Sequence, residues 1–169
     1  MLGFFVKSTA DFSPCRTWRY SLTRRWKSVG PLLPFTMLNP STADEEANDP
    51  TVAKCCGYAS LLGYSGVIIT NVYALRSTDP SALRGHADPV GPSNIVTLRN
   101  LFAEATVTRT PIVCAWGGLG NIRGGSAIVR GLLRDAGVRA VCLGMTKYGE
   151  PLHPLYLKKN QALLEFKPE

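Results

Sequence analysis

Asn39, Asn71 and His153 are the side chains of this chain best suited to polar chemistry, because each stands near the end of an apolar run or beyond it. The run Phe35-Thr36-Met37-Leu38 stops at Asn39-Pro40, and a polar stretch then leads to Pro50. The β-branched run Gly66–Val72 carries Asn71 near its end, and His153-Pro154 follows the last apolar run. A carboxamide offers a donor and an acceptor in one plane, and an imidazole can donate or accept near neutral pH. Asp44 and Asp49 are the acids nearest the first turn, and Asp44-Glu45-Glu46 could instead hold a divalent ion. Each has a plainer alternative. Asn71 could cap a turn, His153 could be a satisfied half-buried ring, and the 39–50 loop could merely leave a sheet.

The elements that must position these residues alternate between strand and helix. Residues 16–38 read as a hairpin with a turn at Ser28–Pro31, its second arm being the first core strand. Residues 50–63 have helical apolar spacing, with Asp49 as N-cap, Pro50 in the first turn and Gly63 as the stop. The run at 66–72 reads as a strand buried on both faces. A loop covers 76–92, a helix 92–106, a strand 111–116, a glycine-rich turn 117–125, a helix 126–136 and a strand 138–143. The C-terminus, 155–166, reads as a short helix before a tail to 169. Such alternation predicts parallel βαβ units. The expected fold is α/β, a single-domain three-layer α/β/α sandwich with about four central strands and an added N-terminal hairpin. In such sheets ligands bind beyond the carboxyl ends of the strands, where Asn39-Pro40-Ser41, Asn71, Trp116-Gly117 and His153 would converge.

At 169 residues and 45% hydrophobic content the chain is long enough for one well-filled core. No stretch approaches the roughly 18 apolar residues of a membrane span. The N-terminal order of charge and apolar residues does not fit a signal peptide. Five cysteines without a CxxC pair read as reduced thiols, and the expected location is cytoplasmic. Two histidines without ligand spacing argue against structural zinc, and no cofactor is implied.

The formal net charge of +7 gathers in two places. Arg16, Arg19, Arg24, Arg25 and Lys27 interleave with Trp18, Tyr20 and Trp26, while Arg123 opens a second group with Arg130, Arg134 and Arg139. Cations interleaved with rings suit a polyanion with exposed bases; a solvated basic face is the other reading. The glycine-rich turn lacks the third glycine of GxGxxG and the GK[ST] ending of a P-loop, and no GxSxG elbow occurs.

Taken in order, LNPSTAD, NDPT, TNVYALRSTDP, AWGGLG and HPLYL resemble the bacterial and phage family called Domain of Unknown Function 1643, over about Trp18 to Tyr156. The same motif order is similar to the uracil-DNA glycosylase superfamily, itself a three-layer α/β/α fold. That likeness implies that Asn39, in an Asn-Pro turn with Pro40 and Ser41, positions the attacking water. It implies that Asn71 reads a flipped pyrimidine, that Trp116-Gly117 matches the WG or LG pair, and that His153 supports the base carbonyl. Tyr73 is the candidate stacking platform, and Leu155-Tyr156 the candidate wedge. The match has departures: Asn39 cannot serve as a general base, and Leu155 stands where serine is usual.

The function so implied is recognition of a nucleobase in DNA, with excision of a modified or mismatched pyrimidine as its activity. Two alternatives stay open. One is a non-catalytic nucleic-acid or nucleotide-binding module; the other is a hydrolase or transferase acting on a free nucleotide-like metabolite. Neither a membrane partner nor a particular oligomeric state follows from the residues.

Overall fold

The β-branched run forms the seam of the sheet. In this computed structural model, which describes residues 5–156, 158 and 161–169, it is strand β4 (Gly66–Asn71), buried along nearly its whole length. On one side β4 pairs in parallel with β3 (Leu32–Met37), Met37 lying opposite Asn71. On the other it pairs antiparallel with β2 (Arg19–Arg25), which pairs in turn with β1 (Lys7–Phe12). Beyond β3 lie β5 (Ile112–Cys114) and β6 (Ala140–Cys142), both parallel, and β7 (Leu164–Glu165), antiparallel. The expectation of about four strands therefore understates the sheet, which has seven, in the order β1-β2-β4-β3-β5-β6-β7.

The chain steps from β3 through α1 (Pro50–Leu61) to β4 in one direction, then reverses. It crosses through α3 (Asn94–Thr108) to β5 and through α4 (Gly125–Ala136) to β6. Right-handed crossovers running in opposite directions put their helices on opposite faces. Accordingly Val52, Cys55, Cys56 and Ala59 of α1 pack with Leu33, Phe35, Val67 and Ile69. Leu98, Phe102, Val129 and Leu133 of α3 and α4 pack with Ile112 and Cys114 on the other face. The loop at 76–92 contains one short helical turn, α2 (Ala82–Gly85).

Two expectations are corrected. The hairpin read over 16–38 does not exist, because β4 inserts between its arms. Ser65 occupies the gap: its carbonyl accepts from the N–H groups of Trp26 and Lys27 at 3.0 and 3.2 Å, and its own N–H donates to Pro31 at 2.9 Å. Only glycine fits next, since a Cβ at Gly66 would lie 2.4 Å from the carbonyl oxygen of Arg24. The hairpin present is β1–β2, built on a polar segment. The C-terminal helix over 155–166 is also replaced. Pro154–Tyr156 is a single 3-10 turn, Leu164–Glu165 completes the sheet against β6, and residues 157, 159 and 160 lie outside the described set. The free edge of β6 and the burial of Phe166 against Trp116 favour a strand there.

Candidate functional site

Parallel pairing brings the carboxyl ends of β4, β3 and β5 side by side, and their ladders continue past the strands. Val72 and Tyr73 donate to the carbonyls of Met37 and Leu38 at 2.8 and 3.0 Å, and Ala115 donates to Thr36 at 2.8 Å. One strand further, the Gly117 N–H donates to Pro151 at 2.8 Å, which draws in the segment bearing His153. Asn71, Asn39, Gly117 and His153 thus follow one another along a single edge of the sheet.

Asn71 shares the side of β4 that carries Val67 and Ile69, the face covered by α1. It is 1% exposed, and its Nδ2 is buried without a hydrogen-bond partner among the described residues. Its backbone carbonyl accepts from the Asn94 side chain at 3.0 Å. The side chain is therefore no turn cap. An unpaired buried amide costs about 1–3 kcal/mol, so this group detracts from the stability of the fold.

Asn39 behaves differently. Its Nδ2 donates to the carbonyls of Ser77, Pro40 and Leu75 at 2.9, 3.1 and 3.4 Å, bracing the chain after β4. Its donor is fully committed, and only Oδ1 remains for a further partner.

His153 is half-buried. A Cβ on Gly117, where φ is +74°, would lie 3.2 Å from the His153 Cβ, so glycine is what lets the ring segment approach. Burial lowers the His153 pKa below the ordinary imidazole value, and the charge of Asp49 partly opposes this. Nδ1 accepts the Leu155 N–H at 3.3 Å, which leaves the proton of the neutral ring on Nε2. Asp49 caps α1, its Oδ1 accepting from Val52 at 2.8 Å, as its position before Pro50 predicts. Asp44 is spent on its own loop: Oδ1 accepts from Glu46 and Ala47, both at 2.9 Å, and these bonds hold its pKa below the usual carboxylate range. The charge of Asp49 thus acts on the His153 ring, whereas Asp44 is occupied within its own loop.

Several expected site residues are structural. Trp116 is fully buried, donates Nε1 to Glu150 at 2.6 Å and meets Phe166 edge-to-face, so it offers no surface to a base. Tyr73 is also buried. Its hydroxyl donates to the carbonyls of Gly120 and Ile122 and accepts from Gly125, bracing the glycine-rich turn. It cannot be a stacking platform. Pro40 is buried, and its carbonyl accepts from Ser77 at 2.9 Å. Ser41 lies on an open groove next to that turn. Leu155 and Tyr156 are 46% and 75% exposed.

The basic N-terminal patch does not form a single outward surface. Arg24 is wholly buried and binds loop 43–48 through Nε to Asn48 Oδ1 at 2.7 Å and through the carbonyls of Asp44 and Ala47. Arg19 is 1% exposed and donates to the Ala43 carbonyl at 2.6 Å; burial pulls its pKa down to about 10. Arg16 forms a bidentate pair with Glu45 at 2.8 and 2.9 Å. Arg25 bonds the carbonyls of Lys27 and Gly30 near the opposite end of the sheet, where exposed Lys27 also lies. Arg123 ties the glycine-rich turn to the carbonyls of His86 and Ala87 at 2.5 and 3.3 Å. Arg19 and Arg24 are therefore removed from the nucleic-acid-facing set, because their charge is used inside the fold.

Sequence reasoning missed a buried cluster around Glu150. Its carboxylate accepts from Trp116 Nε1 and from Ser126 Oγ at 2.9 Å, and it pairs with Arg130 at 3.3 Å. Glu150 sits in an unremarkable polar turn and its partners are 20 to 34 residues away, so no local spacing could signal it. Among the described residues, no three His, Cys, Asp or Glu side chains cluster as metal ligands would, and no helix is long and apolar enough to cross a membrane.

No curated protein and no solved structure matches the chain. The family model described as a protein of unknown function, DUF1643, matches residues 19–155, from the start of β2 to the turn after His153. The chain belongs to the DUF1643 family.

Proposed function

We propose that this protein recognises a nucleobase at the carboxyl edge of its sheet, in the manner of the uracil-DNA glycosylase superfamily, and excises a modified or mismatched pyrimidine from DNA. The observation that carries this reading is the buried Asn71 amide with no partner of its own. A base carbonyl would accept from Nδ2, and Oδ1 would accept from a ring N–H, so one side chain reads the amide edge of a pyrimidine.

Cleavage of the N-glycosidic bond leaves the electron pair on the base. The neutral His153 ring, with its proton on Nε2, supplies a donor for that developing anion without adding a charge of its own. Water adds to the sugar carbon; it donates one hydrogen bond to Asn39 Oδ1, and its proton passes to Asp49 as the new C–O bond forms. Leu155 and Tyr156 fill the gap that the flipped base leaves in the duplex.

One observation favours the binding-module reading as the alternative. The Asn39 amide is committed to three carbonyls, so a protein that holds a base without cutting it would need no change at that position.

The test is incubation with oligonucleotides carrying uracil, hydroxymethylated or otherwise modified pyrimidines, followed by alkaline cleavage. Abasic sites that disappear in Asn71→Leu and His153→Ala support excision. Binding of the same strands without abasic sites supports the module. Neither product nor base-dependent binding would remove the reading.

A further inference from the structure

A shallow groove of about 450 Å³ opens beside the Asn39 turn, lined by Arg16, Ser41, Thr42, Arg76, Ser77 and Thr78 among others. Its wall is shared with the base edge, because Asn39 holds the carbonyls of Leu75 and Ser77 from behind and Ser77 N–H binds Pro40. Both guanidinium groups sit against the Phe12 ring, at 3.9 Å for Arg16 and 4.8 Å for Arg76, so their orientation is fixed before any ligand arrives.

The two arginines are not equivalent. Arg16 is neutralised by its bidentate pair with Glu45. Arg76 forms no ion pair among the described residues; it donates one long bond, 3.3 Å, to the Arg16 carbonyl, and its Nε is buried without a partner. The one carboxylate close by in sequence, Asp79, is occupied by the N–H and hydroxyl of Ser81. The Ser77 hydroxyl is given to the Asp79 carbonyl, whereas those of Ser41, Thr42 and Thr78 bond to none of the described residues.

We infer that this groove is a phosphate-binding subsite in which Arg76 supplies the charge and the hydroxyls of Ser41, Thr42 and Thr78 supply further donors. A planar guanidinium with several open donors is the side chain best matched to tetrahedral phosphate oxygens, and hydroxyls complete such sites. The phosphate is a monoester on a free nucleotide or a diester in a strand. The subsite stands on its own observations and holds whether or not Asn71 reads a base.

The experiment measures binding of a fluorescein-labelled octathymidylate by anisotropy at several salt concentrations, and of thymidine 5′-monophosphate by calorimetry. Both are run on the wild type, Arg76→Gln, the double variant Thr42→Val with Thr78→Val, and Asn71→Leu. Arg76→Gln should weaken one or both probes about tenfold and lower the strand's log–log salt slope by about 0.7, the value for one lost phosphate contact on a single strand. The hydroxyl variant should weaken the same probe two- to fivefold, and it leaves the Phe12 stack untouched should Arg76→Gln disturb folding. Loss confined to the strand assigns a diester, and loss confined to the mononucleotide a monoester. Asn71→Leu leaves the phosphate term in place, so its effect separates failure of the base reading from failure of this one. Unchanged affinity and slope in both groove variants, or no binding of either probe by the wild type, overturns the inference.

Discussion

Gly117 and His153 are in contact: a methyl group on Gly117 would approach the His153 Cβ to 3.2 Å, on backbone held at φ +74°. Gly117→Ala should therefore strain the turn and push the ring segment outward. We expect a loss of about 1–2 kcal/mol, seen as a lower urea midpoint. The His153 ring resonances should shift as well, which a purely local turn defect would not cause.

Asn71 offers the opposite combination. Its Nδ2 is buried and unpaired, so Asn71→Leu removes a penalty while adding apolar volume on the α1 side of β4. Thermal stability should be unchanged or higher, by up to about 1–2 kcal/mol, while recognition of a base is lost. A stability loss above about 2 kcal/mol would show that the amide has a structural partner.

His153 sets a pH dependence whose sign follows from burial. Its folded pKa lies below the ordinary value of about 6.5. As pH falls from 6.5 toward that lower value, the unfolded chain takes up a proton that the folded chain refuses. Stability is thus full above 6.5 and declines below it, until both forms are protonated. His153→Gln should flatten that decline in denaturant midpoints between pH 7 and 5.

Asp49→Asn separates a cap from a charge. Asparagine caps helices as well as aspartate does, so stability should change by less than about 0.5 kcal/mol. The carboxylate is what raises the His153 pKa against burial, so its removal should lower that pKa further, measurable by NMR titration of the ring.

Arg24→Met should cost about 3 kcal/mol, because the carbonyls of Asp44 and Ala47 and the side chain of Asn48 lose their donor together. Arg24→Lys should rescue only part of this, since an ammonium cannot span all three. Protease cleavage within 43–48 is the local readout. Arg25→Ala, at a partly exposed neighbour, should change stability by less than about 0.5 kcal/mol.

Much of the central architecture could be read from local patterns. The Asp49-Pro50 helix start and the β-branched run at 66–71 are strong short-range signals, and both appear where they are expected. The alternation of strand and helix likewise gives helices on both faces. What failed was pairing, which is a long-range property. A turn at Ser28–Pro31 says that two strands run in opposite directions, and nothing local says that a third will lie between them. β1 is mostly polar and is held in the sheet by hydrogen bonding along β2. The burial of Arg24 had a signal that composition obscured: it shares strand parity with Tyr20 and Leu22, and that face points to the core. Trp116 and Tyr73 do lie past the carboxyl ends of β5 and β4, but whether an aromatic ring faces ligand or core depends on partners such as Glu150 and Gly125 far along the chain.

The family match begins at residue 19, so β1 lies outside it, yet β1 is what covers the outer rim of β2 and carries the ring beneath Arg16 and Arg76. A fragment trimmed to the matched residues would keep its loop-pinning guanidiniums, Arg19 and Arg24, but lose β7 and the Phe166 ring that packs against Trp116. It would also bare a row of unsatisfied amides along β2, inviting strand-to-strand sticking between copies. Clumping, before any loss of helical signal, is how such a shortened protein would fail.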